Sequence, residues 1–216
     1  MDDLQLQVSL FGKHPSSSEY LHVGQSSNFT NSIAKWIQEG YEALLQSRTS
    51  YNADNTSHFY FLDTQDDSFV CGSIKLSRDA KNREYPLVIF TQVHSYSSFS
   101  NSYEPLQYSQ DIWKEILEIF KRECDLQELK SMLAKLSTSI PSELNYRASQ
   151  GEMLKVQKDI EDKSLTAFVD SLEINWKDLH QKVPDLASST FVNEQFCKTK
   201  LFYRPLQIDD FITIMR

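Results

Sequence analysis

Within Tyr85 to Val93 lies the unbroken apolar run Leu87-Val88-Ile89-Phe90, and this run constrains the fold more than any other feature of the chain. A strand with one wet face alternates apolar and polar residues, so four consecutive apolar side chains in a strand-length segment need cover on both faces. The preceding segment, Phe69 to Leu76, sets Phe69, Cys71, Ser73 and Lys75 against Val70, Gly72, Ile74 and Leu76 and reads as a neighbouring strand. Further strands are predicted at Leu4 to Leu10, where Leu4, Leu6, Val8 and Leu10 alternate with Gln5, Gln7 and Ser9, at His58 to Leu62, and at Ser188 to Val192 and Lys200 to Arg204.

Helical spacing supplies the cover. Phe29, Ile33, Trp36, Ile37, Leu44 and Leu45 form one stripe behind the cap formers Ser26, Ser27 and Asn28. Gly40 inside that stripe is expected to be tolerated at about 1 kcal/mol relative to Ala. From Leu106 to Ser137 the helical period continues with a break near Cys124-Asp125, and Pro141 opens a region of two shorter helices between Glu143 and Glu173. A short helix over Ile208 to Met215, capped near Asp209, closes the chain. Gly12 to Ser27 and Ser95 to Ser109, rich in breakers and serine, are expected to be loops. With no linker to divide it, the chain is predicted to form one α/β domain over residues 1–216, a mixed sheet of about five or six strands with helices on both faces.

Charge narrows the function. Twenty-two Lys and Arg against thirty Asp and Glu leave a formal charge of −8, which disfavours nucleic acid and anionic membrane surfaces as partners. No apolar stretch approaches the ~18 residues of a membrane span, and the start Met1-Asp2-Asp3 lacks the pattern of a signal peptide, so a cytoplasmic location and no membrane insertion are expected. Cys71, Cys124 and Cys197 are too dispersed for a disulfide framework or a zinc ribbon, and His14, His22, His58, His94 and His180 form no ligand pair. No metal and no cofactor are expected.

No phosphate-cradling loop, dinucleotide turn or nucleophile elbow is present. Cys71 lies in a buried strand, where desolvation favours the neutral thiol, and the acid pairs Asp66-Asp67 and Asp209-Asp210 read as turn and cap residues. No residue is assigned a catalytic role. The charged connection Ser77-x-Asp79-x-x-x-Arg83-x-x-Pro86-Leu87 stands out instead. Asp79 accepting bidentately from Arg83, with Ser77 in the same network, would clasp a long polar connection between buried strands; alternatively Arg83 is an exposed interface anchor. The need to satisfy polar groups locally favours the clasp. Lys13 in Gly12-Lys13-His14-Pro15, with no carboxylate in its own turn, is then the better candidate for an exposed contact.

These stretches carry a family likeness. Phe11-Gly12-Lys13-His14-Pro15, then Glu19-Tyr20 and Trp36-Ile37-Gln38, resembles the FGKxP, GDF and WLQ blocks of the TagF (ImpM) family associated with bacterial type VI secretion. Gly72, then Leu76-Ser77-x-Asp79-x-x-x-Arg83-x-Tyr85-Pro86-Leu87, is similar to that family's G and PSxDxxGRxFPL signature. Here Ser18-Glu19 replaces Gly-Asp, Leu76 replaces Pro and Asn82 replaces Gly, the last suiting a turn that needs positive φ. The resemblance implies a three-layer α/β domain without catalysis that represses type VI assembly after translation. It implies two partners, a forkhead-associated scaffold protein and an inner-membrane component of the machine. It also marks Gly12, Lys13, Pro15, Trp36, Ser77, Asp79, Arg83 and Pro86 as candidate structural or partner-binding residues. A small hydrolase or transferase with an unrecognised site, or a structural accessory subunit of the apparatus, stand as alternatives.

Overall fold

A computed structural model describes residues 6–26, 28–47, 56–63, 68–94, 104–149, 189–193, 198–202 and 207–215. Its strands are β1 (Leu6–Gly12), β2 (Leu21–Val23), β3 (Thr56–Asp63), β4 (Ser68–Arg78), β5 (Glu84–His94), β6 (Ser189–Asn193) and β7 (Lys198–Phe202). The helices are α1 (Asn28–Gln46), α2 (Glu104–Lys121), α3 (Leu126–Ser149) and α4 (Ile208–Met215). The strands form one seven-stranded sheet in the order β2-β1-β5-β4-β3-β6-β7.

Every pairing in this sheet is antiparallel, which corrects the expectation of a mixed sheet. The reason is topological. β3, β4 and β5 follow one another through short connections that can only turn the chain back, whereas a parallel neighbour needs a long crossover. β4 and β5 pair along their whole length, from Ser68 opposite His94 to Arg78 opposite Glu84. The seventh strand is β2, inside the stretch expected to be loop. It adds to β1 at the edge through Leu10–Val23, Phe11–His22 and Gly12–Leu21, and three residues are too few to show a period.

The apolar run of β5 behaves as its composition demands. Leu87, Ile89 and Val93 join Leu10, Phe69 and Cys71 in a core completed by α2 and α3, through residues such as Ile112, Ile116, Leu129 and Leu133. Val88 and Phe90 join Phe11, Val70 and Ile74 in a second core with Ile33, Ile37 and Leu44 of α1 and Phe211 and Ile214 of α4. Strand parity puts the two cores on opposite faces of the sheet. Burying a side chain such as Phe90 or Ile89 stabilises the fold by roughly 1.5–3 kcal/mol, so β5 anchors both cores.

Local chemistry sets the element ends. Asp125 caps α3 by accepting from the Glu128 N–H at 2.8 Å, at the break expected near Cys124-Asp125. Lys75 donates to the Phe120 carbonyl at 2.8 Å, placing a cation at the C-terminus of α2. Gln207 N–H donates to Asp210 Oδ2 at 2.7 Å at the start of α4, the reach-back half of a capping box. Two helix boundaries differ from expectation: α2 starts at Glu104 inside the presumed loop, and α3 runs through Pro141 to Ser149; the last strand, expected at Lys200 to Arg204, is Lys198–Phe202. The rest of the predicted Glu143 to Glu173 region lies outside the described residues. Gly40 is more than tolerated, because a Cβ there would fall on the Cβ and Cγ of Phe211; α4 seats against α1 only because that side chain is missing. Among the described residues no helix is long and apolar enough to cross a membrane.

Candidate functional site

The Gly12–Tyr20 loop and the β4–β5 turn meet at one end of the sheet, around the carboxylate of Asp79. The turn closes through Asp79 N–H to the Arg83 carbonyl at 3.1 Å and Asn82 N–H to the Asp79 carbonyl at 2.8 Å. Asn82 has φ 60°, the left-handed conformation that Gly adopts freely and Asn tolerates best among the other residues. This accounts for Asn82 where the family pattern has Gly.

Asp79 is buried beneath the turn and saturated. Oδ1 accepts the N–H groups of Lys81 and Arg83, each at 2.9 Å, and Oδ2 accepts Arg83 Nε at 2.7 Å. The Asp79–Arg83 clasp is therefore present, but not as a bidentate guanidinium fork: one limb is the backbone of Arg83 itself. Arg83 Nη2 is directed elsewhere, to the Ser18 carbonyl at 2.6 Å. Lys13 Nζ lies 3.8 Å from Asp79 Oδ2 and is largely covered, which corrects its assignment as a free, exposed contact. Its carboxylate comes from a turn sixty-odd residues away in sequence. Ser77 is buried on β4 opposite Tyr85 and stands outside this network among the described residues.

Burial alone would push the Asp79 carboxyl up. The backbone and side-chain hydrogen bonds from Arg83, the Lys81 N–H and the charge of Arg83 outweigh burial and hold the carboxyl below its ordinary value. Asp79 is thus a fixed anion with its lone pairs engaged, suited to ordering backbone and poorly suited to shuttling protons or holding a metal.

The two segments are stitched further by the Ala80 N–H to the Ser17 carbonyl at 2.9 Å. Gly12, at φ 123°, lies so close to β5 that a Cβ would fall on the Pro86 carbonyl oxygen. The loop can pack here only with Gly at that position. His14 turns inward, its Nδ1 paired with Ser16 Oγ at 2.7 Å; burial first, then the charge of Lys75, lower its pKa. Pro15 is exposed and Pro86 buried. Beside the clasp, Tyr85 meets Tyr20 and Tyr41 edge-on, with ring centroids 5.4 and 5.2 Å apart, and Lys13 Nζ sits 5.9 Å from the Tyr85 centroid.

Six of the sequence-derived residues, Gly12, Lys13, Pro15, Asp79, Arg83 and Pro86, thus gather at one rim. Trp36 belongs elsewhere: it joins α1 to α4, donating from Nε1 to the Gln207 carbonyl at 2.9 Å and meeting Phe211 edge-on. The Ser18 carbonyl and the Tyr20–Tyr85–Tyr41 cluster were missed as functional partners. A main-chain carbonyl has no sequence signal, and the tyrosines are brought together only by the fold.

A Ser–His pair also exists, His58 Nδ1 lying 2.7 Å from Ser73 Oγ. It is sealed inside the sheet, with the His58 ring stacked on Trp113 at 5.2 Å, and burial lowers the His58 pKa to about 4. Such a histidine is neutral and out of solvent's reach at physiological pH. The Cys71 thiol, fully buried, is pushed up to about 12 by burial, which its hydrogen bonds to Thr91 and Ser109 only partly offset; it is not a thiolate nucleophile. Among the described residues no cluster of His, Cys, Asp and Glu could hold a metal ion.

The crystal structure of PA0076 from Pseudomonas aeruginosa PAO1 superposes with a TM-score of 0.58 over 96% of this chain and 93% of that one. At 10% identity this is a likeness of fold alone. No curated protein sequence matches the chain. The family model for the TagF N-terminal domain, type VI secretion system-associated, matches residues 9–136. That span runs from the middle of β1 through β5 and includes the whole Asp79 rim. With more than half of its length matched and both signature loops joined at a single carboxylate, this chain belongs to the TagF N-terminal domain family of type VI secretion system-associated proteins.

Proposed function

We propose that this chain is a cytoplasmic, non-enzymatic regulator, a three-layer α/β domain that represses assembly of the type VI secretion machine after translation by binding other proteins. The proposed partners are a forkhead-associated scaffold protein and an inner-membrane component of the machine. The supporting observation is the state of Asp79. Its four polar contacts come from within the chain, so the two family motifs build an ordered rim and not an open reaction centre. A preformed rim loses little entropy on association, and Arg and Tyr, both present on this rim, are residue types enriched where binding energy concentrates.

Deleting the gene and measuring type VI secretion tests the reading. Increased or unscheduled secretion is expected, with restoration by the wild-type chain supplied in trans. Loss of secretion on deletion contradicts repression.

A further inference from the structure

Two ion pairs of the β4–β5 turn share one orientation. Asp79 and Glu84 lie inward, their side chains 0% and 20% exposed, while their partners Arg83 and Arg78 stand 52% and 59% exposed. Lys81 is exposed at the tip of the same turn and contributes to the clasp only through its backbone N–H. Lys13 places a second cation on Asp79, so that one carboxylate answers two positive groups. An approaching partner meets the outer cations first, and the buried anions behind them are already compensated. On the turn and the adjoining loop Lys13, Arg78, Lys81 and Arg83 face Asp79, Glu84 and the exposed Glu19, a local excess of one positive charge in a chain whose formal charge is −8, with the exposed Glu42 of α1 acting on Tyr85 at the border of this face. Next to Glu19, Tyr20 is exposed, its ring held edge-on by Tyr85.

We propose that this face docks an acidic segment of a partner protein, with Arg78, Lys81 and Arg83 supplying charge complementarity and Tyr20 a rigid aromatic contact. This rests on the reading that the chain acts by binding protein. It adds the chemistry of the partner and the location of the contact. A polynucleotide is disfavoured as occupant, because the negative charge of the remaining surface repels an extended polyanion while a single turn supplies few cations.

The experiment compares three full-length variants in cells lacking the native gene: Arg78→Glu/Lys81→Glu, Lys81→Glu alone, and the control Lys35→Glu/Lys114→Glu, whose lysines are exposed on α1 and α2. Thermal melts and immunoblots verify folding and abundance; Lys81→Glu, which leaves every clasp bond in place, serves if the double variant fails to fold. The turn variants are expected to release secretion as the deletion does, and the control to repress it normally. Purified forkhead-associated scaffold protein serves as the binding probe. Its affinity is expected to fall about tenfold or more from about 50 mM to about 300 mM salt and by a similar factor in Lys81→Glu. Turn variants that repress normally and bind the probe as wild type does overturn this proposal and leave the regulatory reading standing. A deletion that fails to raise secretion overturns both. Tight, salt-sensitive binding of a single-stranded oligonucleotide to the same residues assigns the face to nucleic acid and overturns the proposal.

Discussion

His58 makes the fold acid-sensitive over a defined range. Its ring is enclosed between β3 and α2, stacked on Trp113 with Nδ1 paired to Ser73 Oγ, and burial lowers its pKa from 6.5 to about 4. The unfolded chain takes up this proton near pH 6.5, whereas the folded chain resists it until about pH 4. The stability that the neutral ring contributes is therefore complete above pH 6.5, declines as pH falls, and is fully lost below about pH 4. At about 1.4 kcal/mol per pH unit the whole loss is roughly 3 kcal/mol, most of which is gone by about pH 4.5. Carboxylates also titrate in this range, so the quantity to measure is a difference. Urea unfolding of wild type and His58→Gln is followed from neutral pH to about pH 4.5; Gln retains a polar partner for Ser73 but does not titrate. The wild type is expected to lose roughly 2–3 kcal/mol more than the variant. NMR of the His58 ring proton, assigned by its absence in His58→Gln, should place the folded-state titration below pH 5. Parallel stability curves, or a His58 resonance that titrates near 6.5, would refute the reasoning.

Other substitutions probe the seating of α4, the Gly12 loop and the Asp79 clasp. Gly40→Ala gains about 1 kcal/mol of helix propensity but drives a methyl into Phe211; overpacking of ~1–3 kcal/mol should prevail and lower the denaturation midpoint, and a more stable variant would contradict the seating of α4 on α1. Gly12→Ala combines an unfavourable φ with a methyl on the Pro86 carbonyl and should cost ~3 kcal/mol or more, seen as poor soluble yield and a lowered melt; near-wild-type stability would show that the loop is not held against β5. Arg83→Ala removes bonds to both Asp79 and Ser18 and should lower the Tm by roughly 3–6 °C, with Arg83→Lys failing to rescue because an ammonium cannot span both acceptors as a planar fork does; an unchanged Tm would dismiss the clasp as a stabilising element.

Much of the fold was legible because burial leaves a local trace. The run Leu87 to Phe90 announced a strand covered on both sides, and its neighbours divide by parity between two cores as alternation requires. The stripe from Ile33 to Leu44 found its face in the same way, and Ile208–Met215 matched its predicted span. Asp79 and Arg83, four residues apart, could be paired from spacing alone. Asn82 at φ 60° was likewise readable, because a positive φ restricts residue type at a single position.

What tertiary structure decided is each relation between segments distant in the chain. Period reports that a side chain is buried and says nothing of what covers it. No local signal could show that Lys13 would find Asp79, that the Ser18 carbonyl would receive Arg83, that Leu21–Val23 would add to β1, or that Phe211 would occupy the space left by Gly40. These contacts join residues from about ten to more than a hundred positions apart. They depend on strand order, register and helix seating, which emerge only when the whole sheet closes over its two cores.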